Sequence, residues 1–369
     1  MLVRLLLGCL LISPTLGQGV KIEKKDGLTV VHNPKKAIRK AGSPSSLVLT
    51  LDLSIGKSAA DENALFSIIG GVLVDVDEDI IVIDEREVVI KVFDKTGKHV
   101  RTFGKRGQGP GELQSASRIV LKGGKDIAIL DTANNRFSYY SKTGQCLKEM
   151  GLRKYSSVRR IKPDSKGYIY ADSTTVDEGK LIDKIMKFDP EFHMIDTVAE
   201  AERISKVYEF NPIPEWFMYD VMDDDRFIWG RNTKYEFTIL DPDGKPLRKI
   251  LKDYSPVKIS DAARKKIIKE TFGDSGIPDS LRVVFPDNFP AFYYFICDDI
   301  GRIYARTYQE NARGDLQWDV FDEGGIYILS FFLPANEWLY CIKKDKAYTF
   351  INENETGIPV VVRYRMDWR

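Results

Sequence analysis

Short apolar runs that end in a polar turn recur along this chain. In five of them the turn opens on an Asp or a Ser, at Asp94, Ser141, Asp189, Asp241 and Asp322. Four of these turns also carry a Gly within the next three residues. The Asp or Ser side chain bonds the backbone that follows, and Gly accepts the positive φ of a tight turn. Each run therefore predicts a β-hairpin.

These turns recur at a nearly constant spacing. The intervals between their opening residues are 47, 48, 52 and 81 residues. A second β-rich run precedes each turn, and a sixth unit appears in 349–364. Units of three or four short strands that repeat about every 40 to 50 residues are typical of β-propellers. The pattern predicts an all-β fold, a six-bladed β-propeller.

The sixth unit needs a strand from the other end of the chain. It offers only three strands before Arg369, whereas 46–53 is β-rich and belongs to no other unit. Pairing this segment with the last unit closes the ring and leaves no exposed strand edge. We therefore expect the propeller to span 46–369, with 18–45 as an N-terminal extension.

The 81-residue interval between blades four and five contains an insertion, at about 252–290. Within it, Ser260 and Asp261 precede a stretch with several basic residues, and Gly273 follows. A Ser cap, an acidic first turn, basic residues later and a terminal Gly are typical of a helix. One short helical insertion is therefore predicted between these blades.

The first residues predict export. Residues 1–12 form an apolar run with one basic residue, Arg4, and Pro14 follows it. This pattern is typical of a signal peptide cleaved near Gly17, and it predicts a periplasmic, extracellular or cell-surface protein. The alternative is a lipid anchor at Cys9, which ends a sequence similar to a bacterial lipobox. A bilayer-spanning helix needs about 20 apolar residues, so no transmembrane segment is predicted.

The charge balance argues against a nucleic-acid partner. The chain has 55 Lys and Arg against 54 Asp and Glu, with a formal net charge of +1. Binding to a phosphate backbone needs a basic excess that this composition lacks. Only three His residues are present, so a His-based metal centre is not expected. No cofactor is predicted, with calcium as the one alternative.

The first two units resemble a known repeat. The segment from Phe93 to Gly104, followed by the sequence GQGPGEL at 107–113, is similar to the NHL-type repeat. The wider pattern resembles secreted bacterial six-bladed β-propeller proteins of that group. The resemblance implies a propeller in a surface or periplasmic setting. Such propellers include binding proteins, sensors and a few enzymes, so it does not decide the activity.

A candidate binding site emerges when the second strands of the six units are stacked. Their terminal residues are Asp84, Asp131, Asp172, Arg231, Arg306 and Asn352. Equivalent residues of successive blades surround one mouth of the central channel, so three acidic residues would face two arginines. We expect Arg231 and Arg306 to hold a carboxylate in fork geometry. Neighbouring loops would add Arg136, Trp229 and Tyr308. The alternative is that these charges only neutralise one another.

These observations favour an exported, non-catalytic binding or interaction scaffold whose loops at one channel mouth carry specificity. Its partner would be a protein, a peptide or a small polar ligand. One alternative is a calcium-assisted hydrolase or lactonase, with Asp84, Asp131 and Asn352 as calcium ligands. Another is a subunit of a cell-envelope complex, which would expose a large apolar patch. Catalysis is the less favoured class, because no Ser or Cys occupies an elbow motif with a His to serve it.

Overall fold

The computed structural model describes residues 19–38, 42–57, 61–122, 126–152, 155, 157–203, 209–213, 215–352 and 357–369. The predicted signal peptide at 1–17, with Cys9, lies outside these residues. In the part of the chain that is described, no helix has the length and apolar character needed to cross a bilayer.

The described chain begins with strands that do not belong to the first blade. They are β1 (Lys21–Lys25), β2 (Leu28–Asn33) and β3 (Leu47–Ile55). β1 and β2 form an antiparallel hairpin. A short 3-10 turn at Glu62–Ala64 precedes the first blade.

Blades one to three follow in chain order. Blade one contains β4 (Ile69–Val74), β5 (Ile80–Asp84), β6 (Val89–Phe93) and β7 (His99–Phe103). Blade two contains β8 (Ala116–Lys122), β9 (Asp126–Asp131), β10 (Arg136–Tyr140) and β11 (Cys146–Gly151). Blade three contains β12 (Arg160–Pro163), β13 (Ile169–Asp177), β14 (Lys180–Phe188) and β15 (Met194–Glu202).

The rest of the chain forms blades four to six. After the short β16 (Glu209–Phe210), blade four contains β17 (Phe217–Val221), β18 (Phe227–Arg231), β19 (Glu236–Leu240) and β20 (Pro246–Lys252). The insertion holds α1 (Asp261–Phe272), a 3-10 turn (Gly273–Ser275) and β21 (Arg282–Val283). Blade five contains β22 (Tyr294–Cys297), β23 (Ile303–Glu310), β24 (Leu316–Phe321) and β25 (Tyr327–Leu333). Blade six contains β26 (Trp338–Lys343), β27 (Lys346–Ile351) and β28 (Val360–Trp368), with β3 at its edge.

The six blades form a closed ring, which confirms the predicted fold. The first strand of every blade contacts the first strands of both neighbouring blades. β3 is the outermost strand of blade six and pairs antiparallel with β28, with Leu47 opposite Trp368. Beyond this pair, the backbone N–H groups of Ser46 and Arg369 each donate to the other residue's carbonyl, both at 3.0 Å. The N-terminal strand therefore closes the last blade as predicted.

The hairpin turns also form as the sequence predicts. Asp94 Oδ1 accepts hydrogen bonds from the backbone N–H groups of Thr96 (2.8 Å) and Lys98 (3.1 Å). Gly97 takes the positive φ of this turn, at 84°. Each of blades one to five has a β-bulge beside the turn. Blade three lacks the Gly, and Phe192 takes the positive φ instead, at 64°.

Apolar side chains fill the wedges between neighbouring blades. Each of six clusters of buried residues draws on two neighbouring blades. Between blades four and five, for example, Phe237 lies with its ring centroid 5.2 Å from that of Phe292 and 5.7 Å from that of Phe321. Since both faces of a blade are apolar, each blade depends on its two neighbours for burial.

The predicted helix lies between blades four and five. Ser260 Oγ caps α1 by accepting a hydrogen bond from Ala263 N at 3.1 Å. Gly273 ends the helix with a φ of 64°. All residues of α1 are at least partly exposed, and Phe272 packs edge-on against Phe210 with ring centroids 5.6 Å apart. β16 and β21 pair in parallel beside this contact.

The N-terminal extension is part of the ring. β2 pairs in parallel with β20, so that blade four becomes a six-stranded sheet. At the end of β2, the buried Asn33 donates to the carbonyls of Leu251 (3.2 Å) and Gly325 (2.9 Å) and accepts from Tyr327 N (2.8 Å). The chain then continues along blade five, where Ile38 N donates to Tyr327 O at 3.1 Å. Asn33 thus ties the extension to blades four and five.

We predict that Asn33→Ala lowers the free energy of unfolding by about 2 kcal/mol or more, because it leaves buried backbone groups of both blades without their partner. Denaturant unfolding of the variant and the original protein measures this loss. His32→Ala is the matched control, since this side chain is only half-buried and its loss is expected to cost under about 1 kcal/mol. Equal losses in the two variants would contradict the role assigned to Asn33.

Candidate functional site

The strand-end residues singled out from the sequence occupy equivalent places in their blades. Asp84 lies opposite Ile69, the first residue of β4, and Asp131 lies opposite Ala116, the first residue of β8. The other blades repeat this register, in which Asp172, Arg231 and Arg306 lie opposite Arg160, Phe217 and Tyr294. All of these residues therefore lie at the same end of the propeller. Asp172 and Arg306 do not end their strands as predicted, because β13 continues to Asp177 and β23 to Glu310.

Asp84 and Asp131 bond the backbone of the loops around them. Both side chains are fully buried. The carboxylate of Asp84 accepts from the N–H groups of Ser67 (2.7 Å), Ile68 (3.3 Å) and Glu87 (3.2 Å). Asp131 repeats this arrangement in blade two, where it also accepts from the side chain of Asn134 at 2.7 Å. These oxygens are therefore engaged by N–H donors.

Asn352 links the last blade to the first. Its Oδ1 accepts from Ile69 N at 2.8 Å, and its Nδ2 donates to Ile69 O at 2.9 Å. A side-chain amide that pairs with both backbone groups of one residue extends the sheet-like bonding across the blade boundary. Asn352 thus contributes to ring closure.

Asp172 lies in a buried charged cluster. It is 2% exposed and accepts from Arg159 Nε at 3.1 Å and Arg160 Nε at 3.0 Å. Tyr219 donates its hydroxyl to the same carboxylate at 3.1 Å. Burial raises the pKa of Asp172, but the charges of Arg160 and Arg159 outweigh it and hold the pKa below its usual value. The cluster joins blades three and four.

The two arginines of the predicted rim bind separate protein groups. Arg231 donates to the carbonyl of Glu202 at 2.8 Å and lies 3.5 Å from the carboxylate of Glu215. Arg306 donates to the carbonyl of Ala335 at 2.7 Å, and its guanidinium lies 4.7 Å from the ring centroid of Trp338. The two guanidinium groups are therefore held at different blade boundaries. Arg231 lies between blades three and four, and Arg306 lies between blades five and six.

The three neighbouring residues of the prediction have different surroundings. Arg136 begins β10 and donates to the carbonyl of Glu112 at 2.7 Å, which secures the glycine-rich connection between blades one and two. Trp229 lies inside β18, not in a loop, and packs edge-on against Phe217 with centroids 5.6 Å apart. Tyr308 also lies in a strand, because β23 extends to Glu310.

No three His, Cys, Asp or Glu side chains among the described residues come together in a way that could hold a metal ion. The proposed calcium ligands Asp84 and Asp131 each bind the loops of their own blade. Calcium prefers six to eight oxygen ligands in one shell. The described carboxylates thus offer a calcium ion no ready-made cluster.

A cavity of about 440 Å³ opens between blades four and five. Its floor contains Lys252, the last residue of β20, and Asp319 of β24. The start of the insertion contributes Tyr254 and Ser255, and β23 contributes Tyr308. We call this space the inter-blade cavity. Ligand sites in proteins commonly occupy roughly 300 to 1,000 Å³, so its size suits a small molecule.

The floor of the inter-blade cavity is a buried charged cluster. Asp319 is fully buried and accepts from the hydroxyls of Tyr235 (2.5 Å) and Tyr327 (3.0 Å). Gln317 donates to it at 2.7 Å, and Lys252 Nζ lies 3.3 Å away. The ammonium also lies 4.4 Å from the ring centroid of Tyr327 and 4.8 Å from that of Tyr235. Four donors thus converge on one carboxylate.

The two tyrosines of the floor are held as proton donors. Burial and the charge of Asp319 raise the pKa of Tyr235 well above its usual value. The same two causes, burial first, raise the pKa of Tyr327. Both phenols therefore stay protonated at neutral pH and do not serve as general bases.

The N-terminal extension forms one wall of the inter-blade cavity. After Asn33 has fastened the extension between the blades, Lys35, Lys36 and Ala37 pass along the cavity. Both lysines are exposed to solvent. The cavity is thus built from the extension, two blades and the insertion.

Of the residues that line this cavity, the sequence analysis named one. Tyr308 was among the candidates and lines the cavity, whereas Lys252, Asp319, Tyr235 and Tyr327 were not identified. One usable signal was Asp319, a charged residue inside the otherwise apolar end of β24. A charge at such a position needs a buried partner, but the strand pattern does not say which residue supplies it.

We predict that Asp84→Ala lowers the free energy of unfolding by about 3 kcal/mol, because three N–H groups lose a charged acceptor. Urea unfolding measures the loss. Glu87→Ala, in the same loop but exposed, is the control and is expected to change stability by less than about 1 kcal/mol. An Asp84→Ala protein that kept its full stability but lost stabilisation by added calcium would instead make Asp84 a calcium ligand.

Two solved structures share the fold of this chain. One, from Bacteroides fragilis and named as an exported protein, has a TM-score of 0.58 at 14% identity, and covers 92% of this chain and 99% of its own. The other, a member of the duf4221 family from Bacteroides vulgatus, has a TM-score of 0.54 at 10% identity, and covers 89% of this chain and 100% of its own. At such identities the likeness shows the fold alone. No curated protein matches the chain in sequence.

A family model described as 6-bladed beta-propeller matches residues 59–252. The match covers more than half of the chain, from the approach to blade one to the end of β20. This agrees with the ring of six blades and with the repeat spacing. The chain therefore belongs to the 6-bladed beta-propeller family DUF5128.

Proposed function

We propose that this protein is an exported, non-catalytic binding scaffold that holds a small polar ligand in the inter-blade cavity. The observation that carries the proposal is the buried pair of Lys252 and Asp319 at the floor of an open cavity. A buried ion pair is a weak source of stability, because the desolvation of two charges offsets most of their attraction. Buried charges that line a cavity are instead typical of binding sites.

The geometry of the floor favours binding over catalysis. The Asp319 carboxylate already accepts from several donors, and the raised pKa values of Tyr235 and Tyr327 keep both phenols protonated. A general base needs a free lone pair near neutral pH. The cluster thus presents fixed charge without a group poised to accept a proton.

The cavity supports a more specific form of the channel-mouth hypothesis. Lys252 N donates to the carbonyl of Tyr235 at 3.0 Å, in the hairpin that follows Arg231. The cavity therefore opens at the same end of the propeller as the strand-end residues. A direct role of Arg231 and Arg306 as ligand contacts stays a separate prediction, and the experiment below separates the two sites.

The exposed apolar residues support the alternative of a cell-envelope complex less well than the cavity supports a small ligand. They are spread over several blades and include Val100 in blade one, Leu147 in blade two, Val176 in blade three and Leu247 in blade four. Single exposed apolar side chains are normal on soluble proteins, whereas an obligate interface needs a large continuous patch. We therefore favour a small ligand over a permanent protein partner.

We expect a ligand found in a panel of carboxylic acids, sugars, short peptides and calcium to raise the melting temperature of the purified protein. At 100 times its dissociation constant it adds about 2.7 kcal/mol of apparent stability. Gln309→Ala, in the cavity wall, should weaken this shift, and Arg231→Ala should not. Loss of the shift in Arg231→Ala alone would move the site to the channel mouth. No shift with any compound would overturn the proposal.

Export as a secreted bacterial protein of NHL-like type is the second part of the proposal. Its support is the apolar run at 1–12 and the similar structure named as an exported protein. Expressed in a Gram-negative host, the full chain should appear in the periplasm with its mass reduced by residues 1–17. Replacing Leu6 and Leu10 by Arg should keep it in the cytoplasm. A membrane-bound product that starts at Cys9 would show lipidation instead, and full-length cytoplasmic protein would exclude export.

A further inference from the structure

We infer that the ligand of the inter-blade cavity is a hydroxylated organic acid of about the size of a sugar acid. This inference rests on the proposed function and adds the chemical class of the ligand. Three features of the cavity carry it: the balance of charges in the lining, the polar groups of the walls, and the aromatic rings beside them.

The charge balance of the cavity favours an anion. Its described lining contains the lysines Lys35, Lys36 and Lys252 against a single carboxylate, Asp319. That carboxylate lies 3.3 Å from Lys252 Nζ and is also held by neutral donors, so it compensates one lysine at most. The extension therefore leaves two positive charges beside the opening. A ligand with a negative charge gains from both, and this gain falls as salt screens it.

Lys252 can add a short-range contact to this attraction. An ammonium has three N–H donors. Asp319 takes one of them, and the backbone carbonyl of Asp253 lies 3.4 Å from Nζ. The ammonium is also flanked by the rings of Tyr235 and Tyr327, and a ligand that reaches the cavity floor would bond the remaining N–H. The ion pair fixes Lys252 in place, so little side-chain entropy is lost when this bond forms.

The walls offer the groups that bind hydroxyls. Ser255 and Ser330 supply hydroxyl groups, and Gln309 supplies an amide. The hydroxyl of Thr307 is already engaged, because it donates to the carbonyl of Gln317 at 3.1 Å and accepts from Gln309 N at 3.2 Å. Gln309 Nε2 donates to the carbonyl of Ser255 at 2.9 Å, which holds its amide oxygen in place as an acceptor. Hydroxyl and amide groups of this kind can bond the hydroxyl groups of a ligand. An apolar acid would gain no hydrogen bond from the Ser255 hydroxyl or from the amide oxygen of Gln309.

Aromatic rings complete the lining. Tyr308 stacks on Phe289 with centroids 4.5 Å apart, which fixes its ring beside the cavity. Tyr254 packs edge-on against Tyr235 at 5.8 Å. Rigid rings offer flat contact area at a low entropic cost, and they suit the C–H face of a small ring. Together with the lysines and hydroxyls, they favour a ring-shaped acid with several hydroxyl groups.

The test is calorimetric titration of the purified protein with glucuronate. Glucose serves as the same ring without the carboxylate, acetate as the carboxylate without the hydroxyls, and inorganic phosphate as a plain anion. We expect glucuronate to bind at least tenfold more tightly than each of the three. Its affinity should fall as sodium chloride is raised, because the charges that attract it are screened.

The double variant Lys35→Gln, Lys36→Gln should weaken glucuronate binding at least tenfold without lowering the melting temperature, since both side chains are exposed. The matched control is the double variant Lys24→Gln, Lys25→Gln, which changes a second exposed pair in the same extension. The affinity of this control for glucuronate should stay within twofold of that of the original protein. Equal losses in both double variants would show a non-specific charge effect and overturn the inference.

The remaining outcomes separate this inference from the proposed function. Equal binding of glucose and glucuronate would make the site one for neutral sugars, and binding of phosphate alone would make it a site for inorganic anions. Either result overturns the acid and leaves the binding scaffold in place. A further outcome is that none of the four compounds binds, but another compound of the panel binds the original protein and not the Gln309→Ala variant. In that case only the chemical class is wrong. If no compound binds at all, both proposals fail.

Discussion

Every blade of this propeller is a sheet with two apolar faces, so it is stable only between two neighbours. The buried clusters lie between successive blades and together form one closed circle. If the circle were open, two blade faces and an unpaired strand edge would be exposed to water. The pairing of β3 with β28 prevents this, because it joins the two ends of the chain within one sheet. Ring closure is thus the constraint on which the other contacts depend.

The extension adds a second tie at a different place in the ring. Asn33 connects β20 of blade four with Tyr327 of blade five, and the chain then runs on toward β3 in blade six. The wedge between blades four and five is filled partly by phenylalanines and partly by polar groups that surround a cavity. A buried ion pair contributes less to stability than apolar packing of the same volume. The polar part of this wedge is therefore the basis of the proposed binding function.

Residues at equivalent register positions have different roles in this ring. Asp84 and Asp131 close loops through backbone N–H groups, whereas Asp172 joins two blades through Arg159 and Arg160. Stacking the repeats places such residues correctly, since the register is shared. It does not tell which atoms they bond, because the partners come from loops whose sequences differ between blades. A charged residue at a repeated position is thus weak support for a shared site.

Local sequence patterns are enough to predict the features whose interactions lie within a few residues. The bond from Thr96 N to Asp94 and the capping bond from Ala263 N to Ser260 each span two or three residues, so a local pattern predicts them. The regular spacing of the hairpin turns then predicts six blades. The β-rich segment at 46–53, which belongs to no other unit, predicts ring closure. The place of the extension and the lining of the cavity, in contrast, become visible only in the folded chain. Asn33 and Tyr327 are separated by 294 residues, and Lys252 meets Asp319 from a strand of another blade. Such contacts depend on how blades stack, and no short pattern encodes that geometry.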